Sequence, residues 1–425
     1  MKICVVGLGY IGLPTAAMLA CRGHEVVGCD VREDVVAGIN AGRPHFQEPD
    51  LQMLLDAAIG TGKLIARTAP EPAEYFIIAV PTPVQPGGTA DMSYVERAAE
   101  SLAPFLAPGC TVILESTSPV GSTEVLAETM RNARPDLRFP RYEEESGEPA
   151  DVAVCHCPER ILPGQMVREL VSNDRIIGGL TRACAERGRL LYKSFVTGDC
   201  FITDSRAAEL AKLTENAFRD VNIAFANELS IICDRLGVDV WKVRELANHH
   251  PRVSILEPGA GVGGHCIAVD PWFIVQSAPD EARLIHTARL VNDEKPKRII
   301  AKVKALVEQA DTPTVACFGL TYKADVDDIR ESPALAIAAA IAKFDGARLL
   351  VSEPNLARLP EGLAAHGNVT LVQPEQAARE ADIVVFLVGH REFKQLDPAL
   401  FAGKQAVDAI GFISRPGIDR ANSRS

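Results

Sequence analysis

Residues 2–14 read KICVVGLGYIGLP and residues 25–30 read EVVGCD. In the first stretch a short apolar run, Ile3 to Val6, leads directly into Gly7, Gly9 and Gly12, spaced G-x-G-x-x-G. The second stretch is another apolar run, and it ends on Asp30. A strand, a glycine-rich turn, a helix and a second strand ending in an acid form the opening unit of a dinucleotide-binding domain. The glycines allow a tight turn and close backbone approach to a pyrophosphate, which meets the positive end of the following helix. Asp30 can accept from a ribose 2′-OH and would repel a 2′-phosphate. NAD is therefore favoured over NADP, with nearby Arg32 as the one opposing feature.

Beyond this unit the first third of the chain keeps alternating short Val/Ile-rich runs with amphipathic stretches. Strands are expected at Glu25–Cys29, Tyr75–Val80, Thr111–Glu115, Val152–Cys155 and Arg175–Ile177, in a parallel, doubly wound sheet. The Pro-, Glu- and Gly-containing stretch from about Arg138 to Ala150 reads as a surface loop. From Thr203 to Leu236 there is neither Gly nor Pro and apolar residues recur at helical spacing, which predicts one long helix stopped by Gly237. A second helix is expected over Val240 to about His249, with more helix from about Glu281. Strand patterns resume at Thr314–Phe318, Leu349–Val351, Val369–Val372, Ile383–Val388 and Gln405–Asp408, and residues from about Arg415 look frayed. The fold class is α/β in three parts. A Rossmann-like NAD domain spans 1–202, a central helical dimerisation region spans 203–310, and a second, smaller α/β domain spans 311–425.

Composition narrows the function. The chain has 425 residues, 47% of them hydrophobic and 24% charged, with 44 basic against 56 acidic residues and a net charge of −12. Nucleic acid and anionic membranes require a basic face, so neither is an expected partner. No run reaches the length of a membrane span, no signal peptide opens the chain, and 11 scattered cysteines read as free thiols. The expected compartment is the cytoplasm.

Cys266 stands out among the thiols. It follows Gly259, Gly261, Gly263, Gly264 and His265, and precedes Asp270-Pro271, which reads as the N-cap and first residue of a helix. A thiolate just ahead of a helix start can be stabilised by backbone N–H groups; the competing reading is a small buried residue. On the long helix Lys212, Asn216 and Arg219 share one face, which suits either solvent or an active-site wall. Lys323 and Arg330 follow the strand at Thr314–Phe318 and suit a phosphate-bearing ligand rather than a second dinucleotide. His250 and Arg252 sit in a loop where phosphate contact competes with an ordinary surface role. Cys155 and Cys157 flank His156, but no second ligand pair completes a zinc tetrahedron, so no metal is expected.

Taken together these motifs resemble the nucleotide-sugar 6-dehydrogenases, the UDP-glucose/GDP-mannose dehydrogenase family. The likeness also includes Ser116-Thr117 before Pro119, and Cys157-Pro-Glu-Arg160. It runs over nearly the whole chain. Within the family the chain is most similar to the branch acting on UDP-N-acetyl-D-mannosamine in bacterial surface-polysaccharide synthesis. Arg160 stands where the UDP-glucose branch carries an apolar aromatic, and His265 where it carries Ser.

The resemblance implies two successive C6 oxidations of a UDP-N-acetylhexosamine, each reducing one NAD, through a cysteine-bound thioester. It implies Cys266 as nucleophile, Lys212 and Asn216 beside the developing oxyanion, and Asp270, Thr117 and Glu159 holding the hydrolytic water. For the cofactor it adds Tyr10, Ile11, Thr82 and Thr123 to Gly7, Gly9, Gly12 and Asp30. For the substrate it implies Arg160, Ile161, Lys212, Asn216, Arg219, His250, Arg252, Gly263, Tyr322, Lys323 and Arg330, with 311–425 as the UDP-sugar domain and a homodimer through the central helices. The alternatives are the UDP-N-acetyl-D-glucosamine enzyme, a 3-hydroxyacid dehydrogenase, which would not need Cys266, and a non-catalytic NAD-binding scaffold.

Overall fold

The computed structural model describes residues 1–85, 88–142, 149–161, 164–264 and 266–413. The expected loop between Arg138 and Ala150 lies partly outside these residues, and the expected tail from Arg415 and His265 lie wholly outside them. The chain divides into two compact units. One comprises residues 1–215 with 272–279, the other 216–271 with 280–425.

Eight strands form the sheet of the first unit: β1 (Lys2–Val6), β2 (Glu25–Cys29), β3 (Leu64–Arg67), β4 (Tyr75–Ile78), β5 (Thr111–Leu114), β6 (Ala153–His156), β7 (Arg175–Gly179) and β8 (Cys200–Asp204). Their order is β3-β2-β1-β4-β5-β6-β7-β8. Both faces are buried. Ile3 and Val5 of β1 enter one core, while Cys4 and Val6 enter the other. Double burial explains why these strands read as continuous apolar runs. Strands β3 and β8 were not expected: they are the two edges, and their sequences LIAR and CFITD offer no unbroken apolar run. The wholly parallel sheet needs correction as well. β6 pairs with β7 antiparallel, through only Cys155 with Gly179 and His156 with Gly178, and β8 runs parallel to β7.

The second sheet holds β9 (Thr314–Phe318), β10 (Arg348–Ser352), β11 (Val369–Leu371), β12 (Ile383–Phe386) and β13 (Gln405–Asp408). All pairs are parallel, in the order β11-β10-β9-β12-β13. This repeats the order of β1 to β5 in the first sheet. Phe318 and Phe386 stack at 4.7 Å within an aromatic cluster on one face.

The long helix spans Ser205–Leu236. It begins two residues later than expected because Thr203 and Asp204 complete β8, and Asp204 Oδ1 then accepts from Ala207 N at 2.9 Å as a cap. Further helices span Val240–Asn248, Asp270–Ser277 and Arg283–Val307. Within the second unit a buried polar network joins two of them. Asp220 accepts from Arg289 at 2.6 Å and from Asn292 at 2.8 Å, and Asn227 donates to Asn292 at 2.9 Å. Asn227 Oδ1 also accepts from Gly259 N at 2.9 Å, which anchors the start of the glycine-rich loop. Among the described residues no helix is long and apolar enough to cross a membrane.

Candidate functional site

In the first unit the glycine turn has the geometry a pyrophosphate needs. A Cβ on Gly7, at φ +90°, would lie 2.5 Å from the Ala79 carbonyl oxygen, and one on Gly12 would lie 1.8 Å from that of Gly7. A Cβ on Gly9 would meet nothing within 4 Å beyond its chain neighbours, so one side of the turn is left open. Helix Gly12–Cys21 starts here, with Ile11 at its N-cap position. Asp30 Oδ2 accepts from Leu8 N and Oδ1 from Arg32 N, both at 3.0 Å, and each oxygen keeps a lone pair for a ribose hydroxyl. The Arg32 guanidinium is engaged by Asp34 at 2.5 Å. Tyr10 is exposed and stacks on Phe46 at 4.2 Å. These residues fit an NAD.

The loops after β4, β5 and β6 carry the next group. Thr82 Oγ1 donates to the Thr117 carbonyl at 2.6 Å, joining two of the predicted positions. Thr123 is fully buried: its N–H and hydroxyl both donate to Glu209 Oε1, at 2.8 and 2.5 Å, and Gly121 N donates to Oε2 at 2.6 Å. Burial pushes the Glu209 carboxyl up to about 7 despite these donors. Glu159 accepts from Ile161 N in the loop after β6. Arg160 pairs with Glu215 on the long helix at 2.6 Å, one turn beyond Lys212. Lys212 itself is buried, and among the described residues no hydrogen bond or ion pair engages its ammonium.

Cys155, His156 and Cys157 are fully buried. Burial pushes the Cys157 thiol up to about 12, drives Cys155 well above its usual range and lowers His156 to about 3. Burial disfavours both thiolates, at Cys157 against the opposing pull of the buried Arg175 guanidinium. The two thiols are unsuited to nucleophilic attack.

In the second unit Cys266 is exposed, and its carbonyl accepts from Asp270 N at 2.8 Å. Asp270 is the first residue of its helix rather than the cap, because that hydrogen bond already closes a helical turn. Its carboxylate is buried and accepts from Asn216 Nδ2 at 2.5 Å. Gly264, at φ +84°, packs on the Tyr322 ring, where a Cβ would lie 3.0 Å away, and a Cβ on Gly263 would lie 2.5 Å from the Glu331 carbonyl oxygen. Lys323 is exposed, and Arg330 is held by Asp328 at 2.6 Å. Arg219 and Arg252 are exposed, as is His250, whose Nδ1 accepts from Arg252 N at 3.3 Å.

Three family models tile the chain: the NAD-binding domain of the UDP-glucose/GDP-mannose dehydrogenase family over residues 1–196, its central domain over 206–294 and its UDP-binding domain over 316–414. The chain belongs to this family. It is similar to the NDP-N-acetyl-D-galactosaminuronic acid dehydrogenase of Ralstonia nicotianae, 54% identical over 97% of this chain and 96% of the relative. It is similar also to the UDP-N-acetyl-D-mannosamine dehydrogenase of Yersinia pestis, 52% identical over 96% of this chain and 98% of the relative. Among solved structures it matches the UDP-N-acetyl-mannosamine dehydrogenase of Staphylococcus aureus with a TM-score of 0.84 and 40% identity, covering 98% and 96% of the two chains. The protein is thus an NAD-dependent dehydrogenase of nucleotide sugars, with a UDP-binding C-terminal domain.

In this member of the UDP-glucose/GDP-mannose dehydrogenase family the sequence did not point to four residues: Glu209, Glu215, Glu353 and His390. Glu209 lies three residues before Lys212 and Glu215 three after it, so the helical spacing that singled out Lys212 contained their signal. Glu353 directly follows β10 as Asp30 directly follows β2, a signal visible once the second sheet is aligned on the first. His390 had none, because its partners come from two other loops, those after β9 and β10.

Proposed function

We propose that this enzyme oxidises C6 of UDP-N-acetyl-D-mannosamine to the uronate through a covalent intermediate on Cys266. One observation carries the mechanism: an exposed thiol sits in the loop whose next helix opens on a buried, hydrogen-bonded carboxylate, Asp270. Bound NAD supplies the hydride acceptor. Buried Lys212, uncommitted among the described residues, suits donation to the oxygen developing at C6, and Asn216 adds an amide beside it. Loss of the hydroxyl proton and of a first hydride to NAD turns the C6 alcohol into the aldehyde, and the Cys266 sulfur adds to its carbon. Loss of a second hydride, to a second NAD, leaves a thioester, and water cleaves it to the carboxylate and free thiol. Asp270, Glu159 and Thr117 hold that water. The cofactor lies along Gly7, Gly9, Tyr10, Ile11, Gly12 and Asp30, with Thr82 and Thr123 shaping the adjoining loops.

Lys323, Arg330 and Arg252 face the diphosphate, while Arg160, Arg219 and His250 discriminate at the sugar. The Yersinia pestis relative supports the manno substrate, and the Ralstonia relative of nearly equal identity supports a galacto-configured second reading. A chain with all eleven cysteines free suits the cytosol. Phe218, Phe225 and Ile232 recur every seven residues on the long helix and are 71%, 56% and 48% exposed, which suits a homodimer seam. The test is a screen of UDP-N-acetylhexosamines with NADH and product-mass readouts. Preference for the manno epimer over the gluco epimer should exceed about tenfold, since an unmatched buried polar group costs about 1–3 kcal/mol. A preference for the gluco or galacto epimer would replace the substrate and leave the reaction standing.

A further inference from the structure

The two sheets share one local design. Gly7 N donates to Cys29 O at 2.8 Å, and Gly319 N to Ser352 O at 2.9 Å, with φ +90° and +91°. Asp30 accepts from Leu8 N and from the N–H two residues on. Glu353 does the same, taking Leu320 N at 2.7 Å and Asn355 N at 3.0 Å. In a dinucleotide fold the acid at this place is offered to a ribose. In the C-terminal sheet it is not on offer. Glu353 is buried, and His390 Nε2, from the loop after β12, donates to its Oε2 at 2.9 Å.

His390 is fully buried and its second nitrogen is also committed. Nδ1 lies 3.0 Å from the donating Asp325 N and 3.1 Å from Asn355 Nδ2. These donors fix the neutral tautomer with its proton on Nε2, and they leave Nδ1 no lone pair for a metal beside Asp325 and Glu392. The loop Leu320–Asp325 is therefore pinned at both ends. Glu353 takes the N–H groups of Leu320 and Thr321, and His390 takes that of Asp325. Inside the loop Thr321 Oγ1 donates to Lys323 O at 2.8 Å. Tyr322 packs on Gly264, two residues before Cys266.

We propose that Glu353 and His390 are positioning residues: their buried pair closes the ribose-acid place of the second sheet and presents Tyr322 and Lys323 to the UDP-sugar. The inference rests on the reading of Lys323 as a nucleotide contact. Glu353→Gln is isosteric but turns an NH2 toward N–H donors, while His390→Gln keeps a donor for Glu353 and His390→Leu removes it. Full-length variants are titrated with UDP and with NAD and assayed for both KM values. In Glu353→Gln and His390→Leu the UDP Kd and sugar-nucleotide KM should rise at least about tenfold with the NAD KM within about twofold, and His390→Gln should recover most of the loss. UDP affinity unchanged within about twofold, or equal losses for UDP and NAD, would overturn the proposal. If Glu353→Gln does not fold, the His390→Leu and His390→Gln comparison decides. A wild-type enzyme that binds UDP but loses no affinity on Lys323→Ala overturns the Lys323 reading instead, and the proposal with it.

Discussion

Asn216 donates to the Asp270 carboxylate across 2.5 Å, and the Asp270 N–H donates to the Cys266 carbonyl. One hydrogen-bond chain thus runs from the long helix to the nucleophile's own backbone. Asn216→Ala leaves a buried carboxylate short of a donor, at a cost of about 1–3 kcal/mol. The expected result is a kcat lower by about 10- to 100-fold with the NAD KM unchanged. An unaltered kcat would detach Asn216 from the reaction.

Cys266 is exposed, whereas Cys155 and Cys157 are fully buried with their thiols pushed up. Iodoacetamide should therefore label Cys266 and spare the other two, with NAD-dependent oxidation lost in step with labelling. Exposed Cys21 provides the control: Cys21→Ala should leave both the labelling of Cys266 and the loss of activity intact. Full conversion by the unlabelled enzyme should yield two NADH per uronate.

Glu159→Gln leaves the thiol in place while weakening the hold on water, so the covalent intermediate should build up. Intact-protein mass spectrometry after mixing with UDP-sugar and NAD reads it directly. Turnover like that of the wild type would remove Glu159 from the hydrolytic group.

Burial raises the Glu209 carboxyl from 4.5 to about 7. Between these values the folded chain keeps a proton that the unfolded chain has released, so this group's contribution to stability falls as pH rises through about 7. Its full span is about 3 kcal/mol at about 1.4 kcal/mol per pH unit. Denaturant melts at pH 5 to 8, compared with Glu209→Gln, should show the wild type losing ground to the variant as pH rises. Parallel profiles would contradict this.

Phe225 is the middle of Phe218, Phe225 and Ile232, the exposed apolar residues spaced seven apart on the long helix. Phe225→Glu should convert a dimer to monomer in sedimentation velocity and leave the far-UV spectrum unchanged. A wild-type chain that sediments as a monomer at micromolar concentration would dispose of the dimer.

The sequence by itself determined the first βαβ unit, the NAD preference, the long helix, all five strands of the second sheet and the loop bearing Cys266. Each is written in local spacing: apolar runs buried on both faces, glycines where a Cβ would strike backbone, a helix without Gly or Pro. It left β3 and β8 unread because an edge strand is half solvated and carries no continuous apolar signal. It also left the reversal of β7 and β8 unread, because strand direction is set by the path of the connecting chain. The commitments of polar atoms belonged to tertiary structure alone. Glu209 meets Gly121 and Thr123 from more than eighty residues away, and His390 meets Glu353 and Asp325 from separate loops. A buried polar group takes whichever donors the fold delivers to it, and no spacing along the chain specifies those partners.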